Sequence, residues 1–217
     1  MSNAREKIFA AIARNKKPMQ DAAEKSENLI ARVEVNTIPA RGNLSGVAMV
    51  EEFEKRVLAS AASIEYVSSN KDVPEAIVRY LAKHQLPNVC FANGKAGQFS
   101  WSRVPELDVR TTIGNVNSPV VVTEAFRGIA ETGSLVLISQ PGHSSASHFL
   151  PEYLIIILPY NNILPSQESV WEDVRQRSGD IPRTVNLVTG PSRTGDIEQK
   201  MVLGAHGPRQ VHLVVVK

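Results

Sequence analysis

The sequence predicts an α/β protein with a mostly parallel sheet flanked by helices. Short apolar runs alternate along the chain with segments of helical periodicity, which is the pattern of strands and helices in turn. The run LIIIL at residues 154–158 lacks polar alternation, as expected of a strand covered on both faces. The chain has 217 residues, of which 42% are hydrophobic and 21% charged, enough for one domain with a full core.

The N-terminal segment predicts a helical arm. Apolar residues recur at helical spacing over residues 3–15, and Pro18 breaks the pattern. The polar stretch at residues 18–45 predicts a loosely ordered connection. We therefore divide the chain into residues 1–45, the helix and its connection, and an α/β domain at residues 46–217.

Helices and strands alternate through the rest of the chain. Val50, Phe53, Val57 and Leu58 share one helical face, and Pro74 stands where the first turn of a helix accepts proline. The earlier elements are a helix at 46–62, a strand at 64–67, a helix at 73–84 and a strand at 88–92. The later elements are a strand at 119–123, a short helix at 124–130, strands at 134–139 and 154–158, a helix at 166–178, a strand at 185–189, a short helix at 195–203 and a strand at 211–216.

Charge and cysteine content exclude several classes of protein. The net charge is +2, from 24 basic and 22 acidic residues, so no electrostatic footprint for nucleic acid is present. Cys90 is the single cysteine and lies in the apolar run VCFA, which predicts a buried thiol. An iron–sulfur cluster usually takes four thiolates, and no GxGxxG motif is present. We therefore expect no cofactor and no metal bound by this chain alone.

The N-terminal residues and the length of the apolar runs indicate where in the cell the protein is expected. The opening residues show no apolar stretch followed by a small-residue cleavage site, and the apolar run at 154–158 is far too short to span a bilayer. We expect a soluble, cytoplasmic protein without membrane attachment.

The segment TGPSRTGDIEQ at residues 189–199 is the first candidate site, because it joins a predicted strand to a predicted helix. Ligands of open α/β sheets bind beyond the carboxyl ends of strands, and amides at a helix start favour anions. The guanidinium of Arg193 could make a bidentate contact to a carboxylate or phosphate. The alternative is structural: Thr194 caps the helix and Asp196 complements its dipole, which would oppose an anion. The candidate ligand-binding residues here are Gly190, Ser192, Arg193, Thr194 and Asp196.

Two further segments carry candidate catalytic residues. His206 lies between glycines in LGAHGPRQ, where its imidazole could transfer a proton near neutral pH. Glu131 stands in the turn Glu131–Thr132–Gly133 and could act as a nucleophile or general base, with Thr132 and Gly133 lining a pocket. The alternatives are an exposed loop histidine and a solvent-facing turn glutamate.

The loop at residues 139–153 has the length and composition of a mobile surface lid. It contains His143 and His148, five residues apart with no predicted helix to bring them onto one face. A metal pair is therefore not expected there.

Several segments together resemble the LUD domain family of lactate-utilisation proteins. They are IAETGSLVL at 129–137, FLPEYLIII at 149–157, GPSRTGDIEQ at 190–199, LGAHGPRQVHLVVV at 203–216 and, at the N-terminus, SNAREKIFAAI. The resemblance implies a fold similar to the sugar-phosphate isomerase and CoA-transferase superfamily. It also implies a part in oxidising L-lactate to pyruvate beside two iron–sulfur partner proteins. It carries over the positions Glu131, Thr132, Gly133, Ser192, Arg193, Thr194, Asp196 and His206.

Three hypotheses on function follow. The first is a non-redox subunit of a lactate-oxidising complex, which binds a small carboxylate such as lactate or pyruvate through Arg193. The second, by fold analogy, is a stand-alone acyl or CoA transferase, or a nucleotide-using ligase-like enzyme, with Glu131 as nucleophile. The third is an interaction module in which the C-terminal motif serves the fold.

Overall fold

The computed structural model describes residues 6–11, 38–111, 119–140, 145–177, 182–197 and 200–217. The chain divides into two compact units, residues 1–37 and residues 38–217. In the first unit, residues 6–11 are helical, and the rest of the helix predicted over 3–15 lies outside the described residues. The division at residue 45 stays a prediction.

The second unit contains, in its described part, twelve strands and three α-helices. The strands are β1 Ser63–Val67, β2 Val89–Ala92, β3 Asp108–Arg110, β4 Val120–Glu124, β5 Arg127–Ile129, β6 Ser134–Ile138, β7 Tyr153–Pro159, β8 Ile163–Leu164, β9 Val185–Val188, β10 Arg193–Ile197, β11 Lys200–Leu203 and β12 Gln210–Val216. The helices are α1 Gly46–Ala59, α2 Val73–Lys83 and α3 Gln167–Gln176. The pattern of the sequence does not predict β3 and β8, which have three and two residues.

Six strands form a parallel sheet in the order β1-β12-β7-β4-β2-β3. Every neighbouring pair in this order is parallel. The predicted fold class, an α/β protein with a mostly parallel sheet and helical cover, is therefore confirmed. Strand β7 lies inside the sheet, and its residues 154–158 are all buried, as the unbroken apolar run predicts.

The two faces of this sheet carry separate hydrophobic layers. Leu154, Ile156 and Leu158 of β7 share one layer with residues of α1, including Phe53. The alternate residues of β7 share the other layer with α2, as Ile77 shows. Each face of the sheet is thus closed by its own helix, because side chains alternate along a strand.

A second sheet has the order β8-β5-β6-β9, in which β6 pairs antiparallel with β5 and β9. The helix predicted over 124–130 is wrong, because β5 occupies that segment and pairs with β6. The amide of Phe126 donates to the carbonyl oxygen of Val136 at 2.8 Å, which starts this pairing. A short apolar run does not by itself distinguish a helix from a buried strand.

The helix predicted over 195–203 is also wrong. Strands β10 and β11 form an antiparallel hairpin there, in which Thr194 pairs with Val202. Glycine and aspartate at positions 195 and 196 disfavour a helix interior. Thr194 therefore caps no helix, and the helix-start amides predicted to attract an anion do not exist.

Cys90 is fully buried, as predicted, and burial raises the pKa of its thiol to about 12. Among the described residues, no helix is both long and apolar enough to cross a membrane.

His212 of β12 is a histidine of the hydrophobic core. Its ring stacks on Tyr80 at 4.2 Å between centroids, and its Nδ1 lies 2.8 Å from the hydroxyl of Ser63. The carboxylate of Glu65 lies 4.0 Å from Nε2, too far for a hydrogen bond. Burial, together with the positive charges of His84 and Lys83, lowers the pKa of His212 to about 4.

We expect His212 to make stability depend on pH in the acidic range. Its pKa falls from 6.5 to about 4 on folding. Between these two pH values His212 is therefore mostly protonated in the unfolded chain and mostly neutral in the folded one. The free energy of unfolding should therefore fall by up to about 3 kcal/mol as the pH drops through this window. Urea unfolding from pH 7 to pH 4 measures this slope. His212→Gln should flatten it, whereas His206→Gln, which changes an exposed histidine, should not.

Candidate functional site

The carboxyl edge of the parallel sheet carries two adjoining cavities. Cavity A, of about 260 Å³, is lined by Asn70 and Lys71 beyond β1 and by Gln98 and Ser100 beyond β2. Cavity B, of about 300 Å³, is lined by Arg127, Gln140, Asn162 and Arg177. Lys95 and Glu124 line both cavities. This edge is where ligands bind in open α/β sheets.

Lys95 and Glu124 form the wall that the two cavities share. Glu124 is the last residue of β4, and Lys95 lies in a 3-10 turn, Gly94–Gln98, that follows β2. The distance between Lys95 Nζ and Glu124 Oε1 is 4.0 Å, and the side chain of Glu124 is 23% exposed. Burial raises the pKa of Glu124, and the ammonium of Lys95 offsets part of that rise.

Two arginines that contact the ring of Phe126 supply the other charges of cavity B. The guanidinium carbon of Arg127 lies 4.4 Å from the centroid of Phe126, and that of Arg177 lies 5.1 Å away. Arg127 is held by Asp173 at 2.6 Å and by the carbonyl oxygen of Phe126 at 2.8 Å. Within the described part of the chain, Arg177 forms no ion pair.

The charges of cavity B suit a small anion. Three cationic side chains line it, and one of them, Arg127, is neutralised by Asp173. Glu124 supplies one negative charge beside the remaining two cations. Arginine presents donors in a planar fork that matches a carboxylate, and amides such as that of Asn162 add neutral donors. The cavity can therefore hold a carboxylate together with a second polar group near Glu124.

The predicted motif residues lie elsewhere, against the C-terminal end of α1. Gly133 has φ +69°, and a Cβ there would lie 2.7 Å from the backbone of Arg56. Gly190 has φ +75°, and a Cβ there would collide with the carbonyl oxygen of Ser60. Arg193 donates from Nη2 to that same carbonyl oxygen at 3.1 Å. The structure thus brings Gly133, Gly190 and Arg193 to one helix end.

Thr132 joins the two motif segments through hydroxyl groups. Its Oγ1 lies 2.7 Å from the hydroxyl of Ser134, which lies 2.7 Å from that of Thr189. This chain of hydrogen bonds links the turn before β6 to the end of β9, so it fixes the two segments relative to each other.

Glu131 contacts a different part of the chain, the segment that contains Arg41. Its Oε1 is 3.7 Å from Nη2 of Arg41, and its side chain is only 11% exposed. Arg41 belongs to a 3-10 turn, Ala40–Asn43, and the backbone amide of Glu131 donates to the carbonyl oxygen of Pro165 at 3.1 Å. The carboxylate therefore has a cationic partner, and no described contact joins it to Arg193 or His206.

The remaining predicted residues lie in β10, just before it, or in the loop between β11 and β12. The amide of Ser192 donates to the carbonyl oxygen of Pro208 at 2.8 Å, and its own carbonyl oxygen accepts from Gly204 at 2.9 Å. His206 is exposed in this loop, and Thr194 is half-buried in β10. Asp196 lies in β10 as well, and its side chain lies outside the described residues.

The predicted lid is anchored in its described part. Ser145–His148 forms a 3-10 turn in which Ser147 and His148 are buried, so His148 is not the mobile surface residue that the sequence predicts. The side-chain amide of Asn93 donates to Ser147 at 2.7 Å, which ties this turn to the end of β2. His143 lies outside the described residues. Among the described residues, no group of three or more metal-ligating side chains is present.

The sequence contains a signal for the residues that line the two cavities. Glu124 directly follows the apolar run of β4, and Asn93, Gly94 and Lys95 directly follow that of β2. The principle that ligands bind at the carboxyl ends of parallel strands therefore points to them. The same principle fails for the segment at 189–199, because β9 belongs to the second sheet.

An open α/β fold with polar cavities at its carboxyl edge defines the class of this protein. Comparison of its sequence with known families identifies the group within that class. The family model of the LUD domain matches residues 95–216, more than half of the chain. The protein belongs to the LUD domain family.

Curated relatives agree with this assignment over part of their length. The chain is 36% identical over 91 residues to Lactate utilization protein C of Geobacillus kaustophilus, a match that covers 41% of this chain and 38% of that protein. It is 34% identical over 99 residues to Lactate utilization protein C of Halalkalibacterium halodurans, covering 44% and 43%. The aligned segment thus spans about two fifths of each relative.

A solved structure shares the fold. The crystal structure of a DUF162 family protein from Deinococcus radiodurans matches with a TM-score of 0.57 at 20% sequence identity. The match covers 80% of this chain and 99% of that one.

We expect Gly133→Ala to destabilise the protein by more than about 1 kcal/mol, since the positive φ and the backbone of Arg56 both exclude a Cβ. Gly195→Ala is the matched control, because a Cβ there meets no described atom within 4 Å. Thermal and urea unfolding measure both changes. Equal stability of the two variants would contradict the packing described for Gly133.

Proposed function

We propose that this protein takes part in lactate utilisation and binds a small carboxylate in cavity B. The observation that carries the proposal is the guanidinium of Arg177, which lines the cavity without an ion-pair partner among the described residues. The names of the curated relatives support the metabolic role. A carboxylate of three carbons is small enough for a cavity of about 300 Å³.

The residue proposed to bind the carboxylate is Arg177, whereas the sequence predicts Arg193. Arg193 already donates to the carbonyl oxygen of Ser60 and lies in a segment that packs on α1. Arg177 stacks on Phe126, and its guanidinium has no ion-pair partner among the described residues. Stacking on an aromatic ring orders the guanidinium, which lowers the entropy lost when a carboxylate binds.

We further propose that lactate oxidation needs partner proteins that carry iron–sulfur clusters, and that the complex is cytoplasmic. The support from this chain is chemical. Its single cysteine is fully buried, with a thiol pKa raised to about 12, so it is a poor thiolate ligand or electron relay. Electrons from lactate would therefore pass to cofactors on other chains.

We expect Arg177→Ala to weaken the binding of L-lactate, pyruvate and propionate alike, by at least about tenfold, because all three present the same carboxylate. Isothermal titration calorimetry measures the three dissociation constants. Arg183→Ala removes an exposed arginine outside both cavities and should leave them unchanged.

Arg193→Ala separates this site from the C-terminal motif. Loss of binding in Arg193→Ala with full binding in Arg177→Ala would place the ligand at the motif and refute the site in cavity B. Absence of binding of all three acids to the wild-type protein would refute carboxylate binding itself.

A further inference from the structure

We propose that Lys95 and Glu124 recognise the substituent at carbon 2 of the bound acid and select a 2-hydroxy acid over a 2-oxo acid. This inference rests on the proposed function, since it concerns the ligand of cavity B. It assigns two specificity-determining residues, which lie outside the C-terminal motif at residues 190–216.

The separation of the two groups is the first argument. An ammonium and a carboxylate in direct contact lie about 2.7–2.9 Å apart, whereas Lys95 Nζ and Glu124 Oε1 are 4.0 Å apart. Each group therefore keeps hydrogen-bonding capacity toward the cavity. A single oxygen atom of a ligand can contact both, as an acceptor from Lys95 and a donor to Glu124.

The hydrogen-bonding chemistry of the ligand is the second argument. A hydroxyl group both donates and accepts, so it satisfies an ammonium and a carboxylate together. A carbonyl oxygen only accepts, so it would face Glu124 without a hydrogen to share. Because the side chain of Glu124 is only 23% exposed, an ionised carboxylate that faces another acceptor there loses hydration without compensation. A methylene group, as in propionate, contacts neither partner.

The backbone around Glu124 is the third argument, since selectivity requires that the acceptor be held in place. The next residue, Ala125, donates its amide to the carbonyl oxygen of Ile157 at 2.9 Å. Phe126 donates to the carbonyl oxygen of Val136 at 2.8 Å. Glu124 and the aromatic ring that orders Arg177 therefore belong to one rigid segment, which fixes the spacing between the two points of recognition.

The ratio of two affinities tests the inference. We expect the wild-type protein to bind L-lactate about tenfold or more tightly than pyruvate in calorimetric titrations with their sodium salts. In Glu124→Gln the side-chain amide can donate to a carbonyl, so this preference should fall by about tenfold. Propionate affinity should change less than about twofold, because propionate does not use Glu124. Glu106→Gln, at an exposed glutamate outside both cavities, is the matched control and should keep the wild-type ratio.

A second variant keeps the test decisive if Glu124→Gln folds poorly. Lys95 is 61% exposed, so Lys95→Met should fold normally, and it should weaken L-lactate and pyruvate relative to propionate. An unchanged lactate-to-pyruvate ratio in folded Glu124→Gln, with all acids still bound through Arg177, would overturn the inference and leave the proposed function standing. Failure of every acid to bind the wild-type protein would overturn both.

Discussion

The structure depends on the burial of β7 from both sides. Its residues 154–158 have no polar face, so the strand is stable only where hydrophobic layers cover it on both faces, and α1 and α2 supply them. Its hydrogen bonds to β4 and β12 then fix those strands in parallel register. One consequence concerns the site: the register pairs Glu124 with Ile157, which brings this carboxylate to the carboxyl edge beside the cavities.

The C-terminal end of α1 explains why a long sequence motif can lie away from a cavity. Gly133, Gly190 and Arg193 contact the last turns of α1 from two different segments, and two of these contacts leave no room for a Cβ. Through these contacts, the second sheet and the β10–β11 hairpin pack on α1, the helix that covers one face of the parallel sheet. Substitution at these positions would alter the packing of the sheets, whether or not a ligand contacts them. Their role in ligand binding stays a prediction.

Hydrophobic periodicity predicted the parallel sheet and its helices well, because long buried elements leave a regular pattern. The unbroken apolar run of β7 and the stripe of Val50, Phe53 and Val57 on α1 are examples, whereas Leu58, predicted on the same face, is exposed. The pattern failed at 124–130 and 195–203, where short segments pair as strands with partners distant in sequence or across a hairpin. The same limit affected the site. The principle that ligands bind beyond parallel strands was applied to the segment at 189–199, but the sequence could not show that β9 pairs with β6 in the second sheet.

Residues of both sheets line cavity B, since Glu124 belongs to β4 and Arg127 to β5. Lys95 follows a strand of the parallel sheet, whereas Arg177 follows α3, whose Val170 and Val174 pack on residues of the second sheet. Lys95 and Arg177, which both line cavity B, therefore belong to different layers of the fold. The chain passes from the parallel sheet to the second sheet directly after Glu124, between β4 and β5. A shift between the layers would change the distance from the guanidinium to the Lys95–Glu124 pair. Because Gly133 and Gly190 adjoin strands of the second sheet and pack on α1, they contribute to the relative position of the two layers.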